Sequence, residues 1–143
     1  MANAKMTVAE LEAFLHKEFP QAFENGDIQI ESADGATCLL RQHYSERMLR
    51  PGGTVSGPTL MALADLAMYV VLLSAIGPIG LAMTTSLNIN FLRKGSPGQD
   101  VVAAAKLMKL GKRLAVGEII LLSGTSPDPI AHVTTTYSIP DAR

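Results

Sequence analysis

Asp65 is the only Asp, Glu, Lys, Arg or His between Arg50 and Arg93. It sits inside the apolar run PTLMALADLAMYVVLLSAI, Pro58 to Ile76. A carboxylate in such surroundings needs hydrogen-bond donors, or its ionised form is disfavoured. That makes Asp65 a candidate nucleophile or general base; the alternative is a hydrogen-bonded core or interface residue. A second feature lies just upstream. Gly57 precedes Pro58, and proline suits the first helical turn because no donor is needed there. The Gly57 backbone N–H then points outward at the positive end of a helix dipole, where it polarises a carbonyl or holds an oxyanion. A carboxylate and a polarising N–H are the groups that attack on an acyl carbonyl requires.

Their spacing constrains the assembly. Gly57 and Asp65 are 8 residues apart, about 12 Å along a helix at 1.5 Å per residue. One chain cannot bring both to a single carbonyl. Two such helices packed antiparallel about a two-fold axis would place Gly57 of one subunit near Asp65 of the other, giving two composite sites per dimer.

The elements around this helix follow from pattern. Thr7-Val8-Ala9-Glu10 has the form of a capping box and opens a helix to about Phe19, with Val8, Leu11, Phe14 and Leu15 on one stripe and Pro20 ending it. Asn25-Gly26 and Asp34-Gly35 are turn signals. They bound a hairpin of Ile28 to Glu31 and Ala36 to about His43. A Gly- and Pro-rich loop, Arg50 to Gly57, enters the long helix, and Gly77-Pro78 closes it. Four strands follow: Leu81 to Leu92, Asp100 to Leu110, Arg113 to Leu122 and Ile130 to Ile139. In the last, Val133, Thr135 and Tyr137 share a face. The order α-β-β-α-β-β-β-β, with short connections between the final strands, predicts an α+β domain with an antiparallel sheet. The long helix is apolar nearly all round. The sheet must therefore wrap it, and a second copy of the same helix is the economical cover for its far side. Met61 and Met68 are expected in the core.

Composition narrows the function classes. The chain has 143 residues, 12 Lys+Arg against 13 Asp+Glu, a net charge of −1, 48% hydrophobic and 17% charged residues. This supports one core spanning 1–143 and argues against disorder and against generic nucleic-acid binding. The scarcity of charge points to self-association, as a homodimer or homotetramer. Cys38 is the only cysteine, which excludes an internal disulfide framework; a buried apolar role is expected for it. His16, His43 and His132 are too scattered for a metal site, and none is expected. Gly52-Gly53 lacks the lysine of a phosphate loop, and Thr54 breaks the nucleophile-elbow pattern before Ser56-Gly57. Lys106, Lys109, Lys112 and Arg113 form a mild basic cluster, either a solvated face or a contact for a phosphorylated ligand. The N-terminus lacks the apolar core of a secretory signal. Asp65 would cost about 3 kcal/mol at a bilayer centre, so Pro58 to Ile76 is read as a soluble core helix. A cytoplasmic protein is expected.

With these residues placed, the window RPGGTVSGPTLMALAD, Arg50 to Asp65, resembles the motif N-x-x-G-x-x-H-G-G-x-x-x-x-L-x-D/E of hotdog-fold thioesterases, in the phenylacetate-degradation branch that includes 4-hydroxybenzoyl-CoA thioesterases. Gly53, Gly57, Leu63 and Asp65 match in register, and TTSLNINFLRKGSPGQ, Thr84 to Gln99, is similar to the strand and turn after the family's helix. Arg50 stands where the family has Asn or Gln, Ser56 where it has His, and Pro58 where it has a second Gly. The resemblance implies a hotdog fold and hydrolysis of an acyl-CoA, with coenzyme A as part of the substrate and no other cofactor. It implies that the Gly57 N–H holds the carbonyl while Asp65 of the partner subunit attacks it or activates water. Arg50 and Ser56 would adjoin the substrate, Tyr69 would line the acyl pocket, and Arg93, Lys94, Lys112 and Arg113 are candidates for the nucleotide phosphates. The alternatives are a non-catalytic acyl-CoA binding protein, a hydratase or dehydratase (disfavoured by the missing His) and a purely structural oligomer.

Overall fold

The computed structural model describes residues 3–23 and 25–140. Helix α1 (Val8–Glu18) opens on the expected capping box: the Thr7 hydroxyl accepts from the Glu10 N–H at 3.1 Å, and the Glu10 carboxylate accepts from the Thr7 N–H at 2.9 Å. After a 3-10 turn at Pro20–Ala22 come strands β1 (Ile28–Ala33) and β2 (Thr37–Gln42). A second 3-10 turn, Glu46–Met48, leads to helix α2 (Gly57–Ile76). Strands β3 (Met83–Phe91), β4 (Val101–Leu110), β5 (Leu114–Ser123) and β6 (Pro129–Ser138) complete the chain. Strand β1 runs two residues further than the alternation Ile28 to Glu31 suggests, because the register shifts between Ile30 and Ser32 and lets pairing resume beyond an irregularity.

All six strands form one antiparallel sheet in the order β1-β2-β4-β5-β6-β3. Helix α2 connects β2 to β3 across the concave face, so those neighbours in sequence end far apart in the sheet. The inner face is made of small residues where the helix crosses it: Ala103 and Ala105 on β4, Ala115 and Gly117 on β5, Ala131 on β6. A β-carbon at Gly117 would overlap the Met68 sulfur, so helix and strand meet there at the closest approach a backbone allows. Leu60, Leu63, Leu66, Val70, Val71, Leu72 and Leu73 are all buried. Each contributes about 1.5–3 kcal/mol relative to exposure. Helix α2 is long and apolar enough to cross a membrane, yet 67% of its most apolar window is buried inside the fold.

As expected, the sheet supplies most of the cover of α2. Helix α1 adds to it, packing against α2 and β1 through Leu11 and Leu15, and Lys5 N–H donates to the Ser74 carbonyl at 2.7 Å. Only Pro58, Met61 and Ala62 are exposed along α2, with Asp65 half-buried on the same stripe. Met68 is fully buried as expected, whereas Met61 is 42% exposed and not core. Among the described residues, no element covers its stripe. The other open surface is β3, an edge strand that pairs only with β6 among the described residues and exposes Met83 by 63% and Phe91 by 54%.

Two measurable consequences follow from the packing. Cys38 lies inside the fold with its Sγ–H donating to the Ala67 carbonyl at 3.3 Å, and burial pushes its thiol up to about 12. A thiol so far from ionising is unreactive; thiol-labelling reagents at neutral pH should leave Cys38 unmodified until denaturant is added. Asp100 accepts from the Tyr44 N–H at 2.8 Å and faces Arg41 at 3.3 Å and His43 at 3.4 Å. That backbone N–H, with Arg41 and His43 beside it, holds the carboxyl below its ordinary value. The stabilisation is therefore complete above the ordinary carboxylate range and lost as pH falls through the lowered value. The melting temperature of Asp100→Asn should lie below wild type at neutral pH, and the gap should close as acid protonates Asp100 within the fold.

Candidate active site at the two ends of an open helix stripe

The loop into α2 is shaped by local chemistry. Leu49 and Val55 form an isolated bridge, with Arg50 N–H donating to the Thr54 carbonyl at 2.9 Å and Gly53 N–H to the Arg50 carbonyl at 3.0 Å. Gly52 and Gly53 close this turn at φ +103° and +81°, values that side chains other than glycine rarely adopt. Ser56 then caps the helix: its hydroxyl accepts from the Thr59 N–H at 3.3 Å and lies 2.7 Å from the Thr59 hydroxyl. Gly57 and Pro58 follow as the first two helical residues. The Gly57 N–H has no acceptor among the described residues and borders an open cavity of about 460 Å³. Arg50, Arg93 and Lys94 border the same cavity, and the Phe91 ring lies across it, 3.2 Å from where a Gly57 β-carbon would be. A helix N-terminus and three cationic side chains thus share one cavity, an arrangement suited to anionic ligands.

Asp65 lies further along the helix, half-buried. The Thr84 hydroxyl donates to its Oδ1 at 2.5 Å, and the Tyr137 hydroxyl donates to the same oxygen at 3.0 Å and also lies 3.1 Å from the Asp65 carbonyl. Burial, followed by the neighbouring carboxylate, pushes the Tyr137 phenol above its ordinary range despite the opposing effect of Thr84, so it remains a protonated donor. Oδ2 has no partner among the described residues. One carboxylate oxygen is therefore held by two hydroxyls while the other is unengaged. Asp65 borders a second open groove, about 560 Å³, walled by Phe19, Ile28, Leu63 and Leu66.

The other residues singled out from the sequence fall in different places. Tyr69 does not line this groove. It is 7% exposed, with its ring stacked on Tyr137 at 6.1 Å and its hydroxyl 3.4 Å from the Gly80 carbonyl. Ser56 is engaged in capping. Arg93 also donates to the Pro129 carbonyl at 2.8 Å. Lys112 and Arg113 lie at the turn between β4 and β5, beside the Met83 end of β3, because Leu114 and Met83 both pair with Ser138. Arg93 and Lys94 follow the opposite, Phe91 end. Eight strand steps of about 3.3 Å separate the two ends, so one chain does not join these four cations in a single cluster. Thr84 and Tyr137 were not foreseen as partners of Asp65. Tyr137 did carry a signal: period-two alternation puts it on the buried face, and a buried phenol needs an acceptor. Thr84 carried none, since its pairing depends on where β3 crosses α2.

The thioesterase superfamily profile matches residues 52–129. Among curated proteins, nothing matched the chain. Among solved structures, a protein from Silicibacter sp. TM1040, provisionally described as a thioesterase, is 41% identical over 96% of this chain and 94% of its own, with a TM-score of 0.88. A thioesterase from Streptococcus pneumoniae TIGR4, described as hypothetical and solved with coenzyme A, is 21% identical over 91% of this chain and 96% of its own, at a TM-score of 0.77. The E. coli PaaI protein of the phenylacetic acid degradation operon is 21% identical over 91% of this chain and 95% of its own, at 0.75. The last two establish likeness of fold. The profile match across more than half the chain, the 41% identity and the antiparallel sheet wrapped round one long helix establish that this protein belongs to the thioesterase superfamily and has its hotdog fold.

Proposed function

We propose that the protein hydrolyses acyl-CoA thioesters to the free acid and coenzyme A, as a homodimer or homotetramer. The observation that carries this reading is the asymmetric tethering of Asp65, with Oδ1 held by Thr84 and Tyr137 and Oδ2 unengaged. Two hydroxyls fix the orientation of the carboxylate and leave its second oxygen facing the groove, in position to react there. Gly57 supports the reading from the far end of the stripe. Its N–H lies in a cavity with Arg50, Arg93 and Lys94, whose charges suit the phosphates of coenzyme A. The coenzyme A bound by the Streptococcus pneumoniae neighbour agrees with that chemistry.

The composite geometry needs a second subunit. The uncovered stripe Pro58, Met61, Ala62 and Asp65, together with the apolar edge of β3, offers a surface for one. In an antiparallel pair the thioester carbonyl rests on Gly57 N–H of the partner subunit, which stabilises the oxyanion formed on attack. Asp65 Oδ2 acts in one of two ways. It attacks the carbonyl carbon, the C–S bond breaks, the CoA thiolate leaves, and water then cleaves the resulting anhydride. Alternatively it takes a proton from water as the water oxygen attacks the same carbon. Both routes consume one water and return acid and thiol.

Thiol release from a panel of aromatic, short and long acyl-CoAs tests this. At least one substrate should turn over, and Asp65→Asn should lower kcat by about 10²–10⁴-fold. Activity that survives in Asp65→Asn rules out the mechanism. Saturable acyl-CoA binding without thiol release identifies a binding protein instead. Tyr137→Phe removes one tether while leaving the ring in place, and should lower kcat by roughly tenfold with little change in KM. A raised KM at constant kcat would place Tyr137 in substrate binding rather than in positioning Asp65.

A further inference from the structure

The groove that begins at Asp65 contains a polar side chain that the strand pattern does not call for. On β2, Cys38 and Leu40 are buried against α2, and alternation puts Gln42 on the same inner face. Gln42 is paired with Ile28 of β1 and Val101 of β4. Every other inward position of that strand is apolar. Its amide has no hydrogen-bond partner among the described residues, and it borders the groove together with Ile28, Phe19, Ala62, Leu63 and Asp65. No buried side-chain polar atom lacks a partner among the described residues, so this amide is open to the groove rather than sealed in the core. The groove follows α2 from Pro58 to Leu66, eight residue steps, or roughly 12 Å. Its walls are mainly apolar, with a carboxylate at the helix and an unpaired amide on the sheet.

We propose that this groove is the acyl subsite and that Gln42 makes it selective for medium-length acyl groups bearing a hydrogen-bonding oxygen on the chain. The inference rests on the thioesterase reading above and assigns its substrate class. An apolar wall accepts methylenes without regard to detail, because each is worth only a small and similar free energy. An amide is different. It offers two donors and an acceptor, and a plain alkyl chain laid over it would strip its water and leave it unpaired. A hydroxyl or oxo group on the chain replaces that water and satisfies the amide. Gln42 therefore favours oxygenated chains partly by penalising plain ones.

The test uses calorimetric binding to the intact protein of CoA thioethers, which cannot be hydrolysed, with alkyl chains from butyl to decyl, each with and without a terminal hydroxyl. Wild type should bind at least one hydroxylated member more tightly than its plain counterpart. Gln42→Leu should shift that ratio by about tenfold toward the plain chain, and Gln42→Met, of similar length, serves if the leucine variant fails to fold. Ala22→Phe, which narrows the groove from the wall opposite the α2 stripe, should weaken every alkyl thioether while leaving free coenzyme A binding unchanged. The inference is overturned if the ratio is the same in wild type and the Gln42 variants, if no hydroxylated member is preferred, or if Ala22→Phe leaves alkyl binding intact. Because binding is read without turnover, a protein that hydrolyses nothing in the thiol-release panel removes the thioesterase reading while these ratios still decide the role of Gln42.

Discussion

A carboxylate on an otherwise apolar helix is the interaction on which this structure turns. Asp65 cannot be left without donors inside the fold, and helix α2 provides none of its own at that face. The donors come from β3 and β6, through Thr84 and Tyr137. Those strands are neighbours in the sheet although 37 residues or more separate the end of one from the start of the other. The crossing of α2 over the sheet must therefore be held closely, or both hydrogen bonds lengthen together. Small residues make that possible. Gly117 against Met68, with Ala103, Ala105, Ala115 and Ala131 around it, lets the helix settle onto the strands at fixed depth.

The same crossing separates two chemical environments. At the N-terminus of α2, the Ser56 cap and the Gly52-Gly53 turn leave the Gly57 N–H open to a cavity rich in positive charge. Two turns further on, Asp65 faces a groove with apolar walls. An acyl-CoA has the same division, an anionic nucleotide at one end and an apolar acyl group at the other. The distance along one helix is too great for a single carbonyl to touch both groups. Pairing of two chains is thus a geometric requirement of the proposed chemistry, and the open stripe of α2 and the exposed edge of β3 are the apolar surfaces available for it.

Polar residues at apolar positions mark the features of interest throughout the fold. Asp65 on the helix and Gln42 on β2 each interrupt an otherwise hydrophobic face, and Tyr137 brings a buried hydroxyl to the inner face of β6. Two of them satisfy one another. Gln42 does not, and it lies at the mouth of a groove where a ligand can do so. Cys38, two residues earlier on the same strand, shows the contrast: it is buried, bonded to the Ala67 carbonyl and inert.

The elements and their order were legible from residue patterns, because helix caps, glycine turns and period-two alternation are local signals that act within a few residues. The pairing of Gly57 with Asp65 as candidate chemistry was legible for the same reason, since both lie on one helix and their separation follows from its rise. The partners of Asp65, the burial of Tyr69 behind it and the distance between Arg93 and Arg113 were not. Each depends on which strands become neighbours, and β3 lies beside β6 only because α2 carries the chain across the sheet. The role of Met61 was not legible either: an apolar surface announces that it must be buried but not by what, and Met61 lies on the stripe of α2 that stays exposed. Local sequence specifies which groups the chain can offer. Long-range packing specifies which of them meet, since contacts between distant residues are selected by the fit of whole faces rather than by any short run of side chains.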